Sequence, residues 1–357
     1  MDIDTEDRSK MDFNYLDEYQ KLLTPEIVGY LSDIHEYKGK QFYFTAVKKD
    51  VLDEMLGISR FQSIESSNRI DSISTSEHRL KPLAADKGKP QGDNEKIIAG
   101  YRDVWNTIHE NYEFHLLVPE TILEFHHILY KYYGTAHKGK FRITDHITMS
   151  ELSTICSCEH FTPLNHEEIS NTVRSLCEAF DRAKDHMDPL LLIPMFISDF
   201  LMISPFAEGN GRMSRLLILL LLAQCGYYVG SYSSIEKQIE KNYDDYRETL
   251  ENTMVRMGEK TVDYVPFTEC LLNVITSAYR DFIERASIMG NSSYSKSDQV
   301  REIIKRADGE ITKTEVLRLC GNISQTTVQR SLNWLWKRNI IIKIGGGRYT
   351  SYKWNGE

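Results

Sequence analysis

The residues best equipped for chemistry fall in one stretch, "SPFAEGNGRMSR", Ser204–Arg215. Glycines at 209 and 211 bracket Asn210 and let the backbone come close to an anion. Free N–H groups at the start of the helix that follows bind phosphate well. Asn210 can donate to a phosphate oxygen. Glu208 offers the single carboxylate that Mg²⁺ takes beside phosphate oxygens and water. Arg212 and Arg215, three apart, share a helical face and would neutralise charge on a phosphate chain during transfer. The chemistry implied is a phosphoryl- or nucleotidyl-type transfer. Gly209, Asn210, Gly211, Arg212 and Arg215 are its phosphate-binding candidates, and Asn210 and Arg212 are also catalytic candidates. Glu208 is the metal ligand. A base is missing, because Ser204 stands at the front of the loop and a serine hydroxyl accepts no proton usefully at neutral pH. General-base catalysis contributes ~10²–10⁴ in rate, so its loss raises the barrier by roughly 3–5 kcal/mol. Positioning and electrostatics carry most of such transfers, so slow transfer remains reasonable, least impaired toward a tyrosine hydroxyl.

Helices must position this loop. The run "LLILLLLA" at 216–223 reads as a buried helix, far short of the roughly 20 residues a membrane span needs. Apolar residues recur at helical spacing in 119–133, through Ile122, Phe125, Leu129 and Tyr132. They do so again in 168–183, through Ile169, Val173, Leu176 and Phe180, and 236–254 reads as one amphipathic helix. Residues 83–95 are rich in glycine, proline and charge and read as an exposed loop, and the Ser- and Gly-rich 287–297 reads as a linker.

The 357 residues allow two or three domains, and the net charge of −9 argues against a chain built throughout to coat nucleic acid or an anionic membrane. The acidic, polar start is no secretory leader, and six cysteines without a paired framework point to reduced thiols. Cytoplasmic location and no membrane contact are the expectations. Cys156-x-Cys158 could chelate a metal but has no second pair nearby.

The character changes near the C-terminus. From Ser295 onward, twelve Lys and Arg stand against six Asp and Glu. Helices are expected at 297–307, 312–319 and 325–338, followed by "IIIKI", a glycine tip and "RYTSYKW". Helix–turn–helix followed by a two-stranded ribbon is the order of a winged helix. In a DNA-binding role, Gln325, Thr326, Gln329 and Arg330 would face base edges. Winged helices also serve as protein-interaction or dimerisation modules, so that use stays open.

The stretch 204–215 resembles the signature of the Fic family (filamentation induced by cAMP), His-Pro-Phe-x-Asp/Glu-Gly-Asn-Gly-Arg-x-x-Arg. Every fixed position matches except the first, where Ser204 replaces histidine. "HKGKFR" (137–142) looks like the entry to the family's target-docking flap, a β-hairpin over roughly 139–160. "FTPLNHEEI" (161–169) and "SSIEKQIEKNYDDYRETL" (233–250) are similar to its next helix start and to the helix lining its adenine pocket, where Tyr246 is a candidate for packing on adenine. The resemblance implies an all-α Fic-type core with a short β-hairpin flap, here followed by a small winged helix. The expected organisation is an N-terminal helical region at 1–110, a Fic core at 111–286, a linker at 287–297 and the winged helix at 298–357.

The activity implied is AMP transfer from ATP, with Mg²⁺, to a hydroxyl of a target protein or of the chain itself. By resemblance Glu208 takes the Mg²⁺ position, and Phe206 anchors the loop on its core. A homodimer stays open, as do two other readings: a nucleotide-binding pseudoenzyme, and a regulator acting on DNA through the winged helix. His146, His160 and His166 lie in or beside the flap and are the substitute bases to consider.

One class of the family carries an inhibitory helix with the pattern Ser/Thr-x-x-x-Glu-Gly/Asn, whose glutamate pairs with the second arginine of the signature. Ser67-Asn-Arg-Ile-Asp71-Ser72 is similar, one methylene shorter at the carboxylate and with Ser72 in the last place. An inhibitory Asp71–Arg215 pair, with Ser67 in support, is the expectation.

Overall fold

Two helices buried on nearly every face form the centre of the molecule. In the computed structural model they run Pro189–Ile203 and Asn210–Gln224, and nearly every side chain on both is buried. The structure describes residues 13–47, 49–145, 164–255, 262–289, 295–320, 323–347 and 350–355. In chain order its helices are α1 Tyr15–Glu18, α2 Pro25–Val47, α3 Lys49–Ile70, α4 Glu77–Ala84, α5 Asp93–Asn111, α6 Pro119–Leu129, α7 Ile169–Ala183 and α8 Pro189–Ile203. They continue as α9 Asn210–Gln224, α10 Val229–Tyr232, α11 Ile235–Lys241, α12 Tyr243–Val255, α13 Val265–Met289, α14 Lys296–Lys305, α15 Lys313–Leu319 and α16 Gln325–Lys337. None of the described helices is long and apolar enough to cross a membrane.

Among the described residues the fold is all-α apart from one small sheet near the C-terminus. A single apolar core runs from Phe13 to Ala286 and takes in α3, α5, α6 and α13 around the α8–α9 pair. Gly100 lets α5 and α6 touch, since a Cβ there would lie 1.9 Å from the Leu129 carbonyl oxygen. Residues 300–352 build a second core from Val300, Ile304, Val316, Val328, Leu332 and their neighbours. There α14–α16 pack on strands β1 Glu310–Thr312, β2 Ile341–Ile344 and β3 Ser351–Trp354, in antiparallel order β1-β3-β2.

Several boundaries differ from the sequence expectation. The helix expected over 236–254 is two, broken at Asn242, whose backbone leaves helical geometry at φ −120°, ψ 35°. Part of the loop expected at 83–95 is helix, because α4 accommodates Pro82 and α5 begins at Asp93. β1 escapes a periodicity reading, being only three residues long. α13 extends through the first residues of the expected linker, to Met289. Most of the expected flap hairpin, with His146, His160, Cys156 and Cys158, lies outside the described residues.

Candidate functional site

The signature stretch is the connection between the two central helices. α8 is started by Asp188, whose carboxylate accepts from the Leu190 N–H at 2.9 Å, with Pro189 in the first turn. It ends at Ser204, left-handed at φ 45°, ψ 64°. The Ser204 hydroxyl turns back and donates to the Leu201 carbonyl at 2.6 Å, fully buried. Arg142, also buried, clamps this turn: its Nε donates to the Ser204 carbonyl and its backbone N–H to that of Pro205, each at 2.9 Å. Ser204 is therefore a helix cap whose hydroxyl is already engaged.

Gly209 starts α9 from a second left-handed position, φ 86°. A Cβ there would lie 2.8 Å from the Tyr130 hydroxyl, so the close approach and the backbone angle both call for glycine. Asn210 spends its side chain on the loop. Its Oδ1 accepts from the Phe206 N–H and its Nδ2 donates to the Phe206 carbonyl, both at 2.9 Å and fully buried. The amide thus braces the loop. Phe206, the anchor, is buried and lies face to face on the His126 ring, 3.8 Å between centroids.

His126 is a site residue that the sequence reading missed. Its Nδ1 accepts from the Gly139 N–H at 2.9 Å, which leaves Nε2–H to donate to the Glu208 carbonyl at 3.2 Å. Burial pushes this imidazole down to about 3, so it stays neutral. One ring thus ties the entry of the expected flap to the residue expected to hold a metal. Its only sequence signal was a histidine on the apolar face of 119–133.

Arg212 and Arg215 converge on Asp71. The Asp71 carboxylate accepts from Arg212 Nε at 2.9 Å and from Arg215 Nη2 at 2.8 Å. Arg212 also donates to the Tyr130 hydroxyl at 2.7 Å. Arg215 donates to the Ser67 hydroxyl at 2.8 Å and the Ser67 carbonyl at 2.9 Å. Burial works against the Arg215 charge, but Asp71 more than offsets it and the guanidinium pKa rises. Asp71 follows the last turn of α3, and Ser72 ends that helix at a left-handed φ of 59°. The glycine or asparagine of the inhibitory pattern suits such an angle better than serine does.

A buried polar seam fixes α3 along the face that carries Ser67. Ser63 donates to Glu236 and lies 2.9 Å from the Ser234 hydroxyl, Tyr101 donates to Glu236, and Ser59 donates to the Gly230 carbonyl.

Glu208 is half-buried at the mouth of the loop, and no group of three or more metal-ligating side chains occurs among the described residues. One carboxylate beside an anion-binding helix start fits a divalent cation that arrives with phosphates and keeps most of its waters. Tyr246 does not offer the stacking face expected of it. It is buried edge-on against Phe267, at 5.2 Å, and belongs to the core. His166 is turned onto Asp145, 2.9 Å from Nδ1 to Oδ1. Gln325, Thr326 and Arg330 are exposed at the start of α16, and Gln329 is half-buried with its amide on Asn333.

These features have counterparts in known proteins. Residues 116–222, which hold α6, α8, the loop and α9, match the model of the Fic/DOC family. A Fic family protein from Desulfovibrio desulfuricans is similar in structure, with a TM-score of 0.60 at 19% identity over 94% of this chain and 97% of that one. A Fic domain containing signaling protein from Bacteroides thetaiotaomicron gives a TM-score of 0.61 at 17% identity, over 73% of this chain and all of that one. A Fic-1 fragment from C. elegans gives 0.58 at 16% identity, over 74% and 73%. The chain carries a Fic domain and has the Fic helical fold.

Proposed function

We propose that the chain is a protein adenylyltransferase held in check by its own α3. ATP is the substrate, with its phosphate chain at the start of α9 and its charge met by Arg212 and Arg215. Glu208 would hold Mg²⁺, which neutralises phosphate charge when bound. The acceptor hydroxyl oxygen forms the new bond to the α-phosphorus, the bond to the bridging oxygen breaks, and pyrophosphate leaves. Ser204 is no base, so the hydroxyl proton passes to solvent and the rate depends on positioning and electrostatics.

The observation that carries this reading is the seat shared by Arg212 and Arg215, where one carboxylate bridges two buried guanidiniums. Two arginines at a helix start suit a polyphosphate, and Asp71 occupies the place such an anion would take. Asp71, supported by Ser67, is thus the brake.

The engaged Ser204 hydroxyl favours a second reading, a nucleotide-binding pseudoenzyme with regulatory use. The arrangement of α14–α16 and β1–β3 suits a winged helix, through which such a regulator could contact a partner protein or DNA.

Incubation with α-³²P-labelled ATP and Mg²⁺ separates these readings. Ser204→His is a well-suited companion variant, because histidine tolerates a left-handed backbone better than most residues. The expected result is slow labelling of the unchanged protein, faster labelling with Ser204→His and none with Arg212→Ala. Label on Ser204→His alone would replace the transferase by the pseudoenzyme.

A further inference from the structure

A cleft of about 730 Å³ opens between α4 and the C-terminal three-helix unit. Lys81 of α4 stands on one wall, and Lys313, Arg318, Gln325, Gln329 and Lys343 are among the residues that line the rest. None of its described lining residues is acidic. Clefts lined by one sign of charge focus the field and draw in counter-ions.

The cleft already holds an internal anion at its edge. Glu77 accepts from Lys81 Nζ at 3.0 Å and pairs with Arg318 Nη2 at 3.4 Å. The Lys81 ammonium, joined by Arg318, holds this carboxyl below its ordinary value. Arg318 is oriented from behind, with Nη1 3.3 Å from Glu65 and its guanidinium 4.8 Å over the Phe61 ring. Lys313 and Lys343 make no ion pair among the described residues. Among the described residues four cations therefore border the space, and Glu77 meets two of them.

Size decides between occupants. Small-ligand sites span about 300–1,000 Å³, and this cleft falls within that range. Gln325 and Gln329, expected to face base edges in a DNA-binding role, line this cleft together with Lys81. Thr326 and Arg330 are not among the lining residues.

We propose that the cleft is a second anion site, for a small ligand carrying two or more phosphates that competes with Glu77 for Lys81 and Arg318. Such a ligand would span the core and the C-terminal unit. It would also touch, through Arg318, the helix that carries Ser67 and leads into Asp71.

Calorimetric titration of the full chain with inorganic tripolyphosphate, without Mg²⁺, tests this. The unchanged chain should bind the probe at the cleft as well as at the loop. Lys313→Ala with Lys343→Ala, both near the surface and safe for folding, should weaken the cleft event by roughly tenfold or more. Arg212→Ala should leave that event in place. Glu77→Gln should tighten it several-fold by removing the competing carboxylate.

Binding untouched by the paired lysine changes, or abolished by Arg212→Ala, would assign the probe to the loop alone and overturn the proposal. So would the absence of any cleft event. Binding of a 20-base-pair duplex through Lys313 and Lys343, with no tripolyphosphate event there, would give this face to nucleic acid and equally overturn the small-ligand site.

Discussion

Replacing Asp71 by alanine should make the protein less stable and its ATP binding tighter. The Asp71 side chain is 11% exposed, and those of Arg212 and Arg215 are 5% and 2% exposed. Each of its two charge-assisted hydrogen bonds is worth about 1.5–3 kcal/mol. Removing the carboxylate leaves two buried guanidiniums without their shared counterion. Breaking a buried pair in this way costs about 3–5 kcal/mol, which should appear as a lower unfolding temperature in calorimetry without ligand.

ATP restores the negative charge. On the proposed reading its phosphates must first displace Asp71 in the unchanged protein, so the strength of that bridge is subtracted from the binding free energy. In the variant no displacement is needed. Ser67 still holds Arg215 and Tyr130 still holds Arg212, so only part of the difference is recovered. A gain of about 2 kcal/mol corresponds to roughly thirtyfold tighter binding, measurable by titration calorimetry with ATP and Mg²⁺. Asp71→Asn, which keeps the volume, should move affinity the same way by a smaller amount. Lost stability with unchanged or weaker ATP binding would refute the competition and leave Asp71 a purely structural counterion.

Two predictions concern buried titratable groups. With burial holding it near 3, the His126 imidazole should keep one neutral tautomer from pH 5 to 8. Side-chain ¹⁵N NMR reads this directly, and a titration centred near 6.5 would contradict the enclosed site. Asp199, buried on α8, accepts from the Tyr15 hydroxyl at 2.7 Å and the Tyr264 hydroxyl at 3.1 Å, and burial raises its carboxyl to about 7. The folded state then holds a proton that the unfolded chain releases near pH 4, so the contribution of this group falls as pH rises from about 4 to 7 and is constant above. The full span is on the order of 4 kcal/mol. Asp199→Asn should flatten that part of the stability–pH curve in denaturant unfolding, and an unchanged slope would remove Asp199 as its source.

The helical character and the central loop were legible because they rest on local signals. The continuous apolar run of α9 and the glycine–arginine spacing before it depend only on residues close in sequence. The position of Asp71 opposite the signature arginines was legible from a pattern; its bridge to Arg212 as well as Arg215 was not, because it depends on how the end of α3 meets α9. His126 was missed for a related reason. Its three partners, Gly139, Phe206 and Glu208, lie 13 to 82 positions away, and one histidine on an apolar face carries no mark of such contacts. Tyr246 went the other way: it was expected in a helix and lies in one, but only packing shows that its ring points into the core. β1 carried too few residues for any periodicity.

The geometry of the loop also separates two functions that the signature combines. Its shape is set by left-handed caps at Ser204 and Gly209, by Asn210 closing on Phe206, and by Arg142 and His126 clamping from outside. None of these contacts needs a histidine at 204, so losing the base leaves the anion seat intact. On the proposed reading the same independence lets one carboxylate at the end of α3 act as the control of the site. Asp71 bridges the two arginines, and a ligand able to compete for them would meet a loop already in shape.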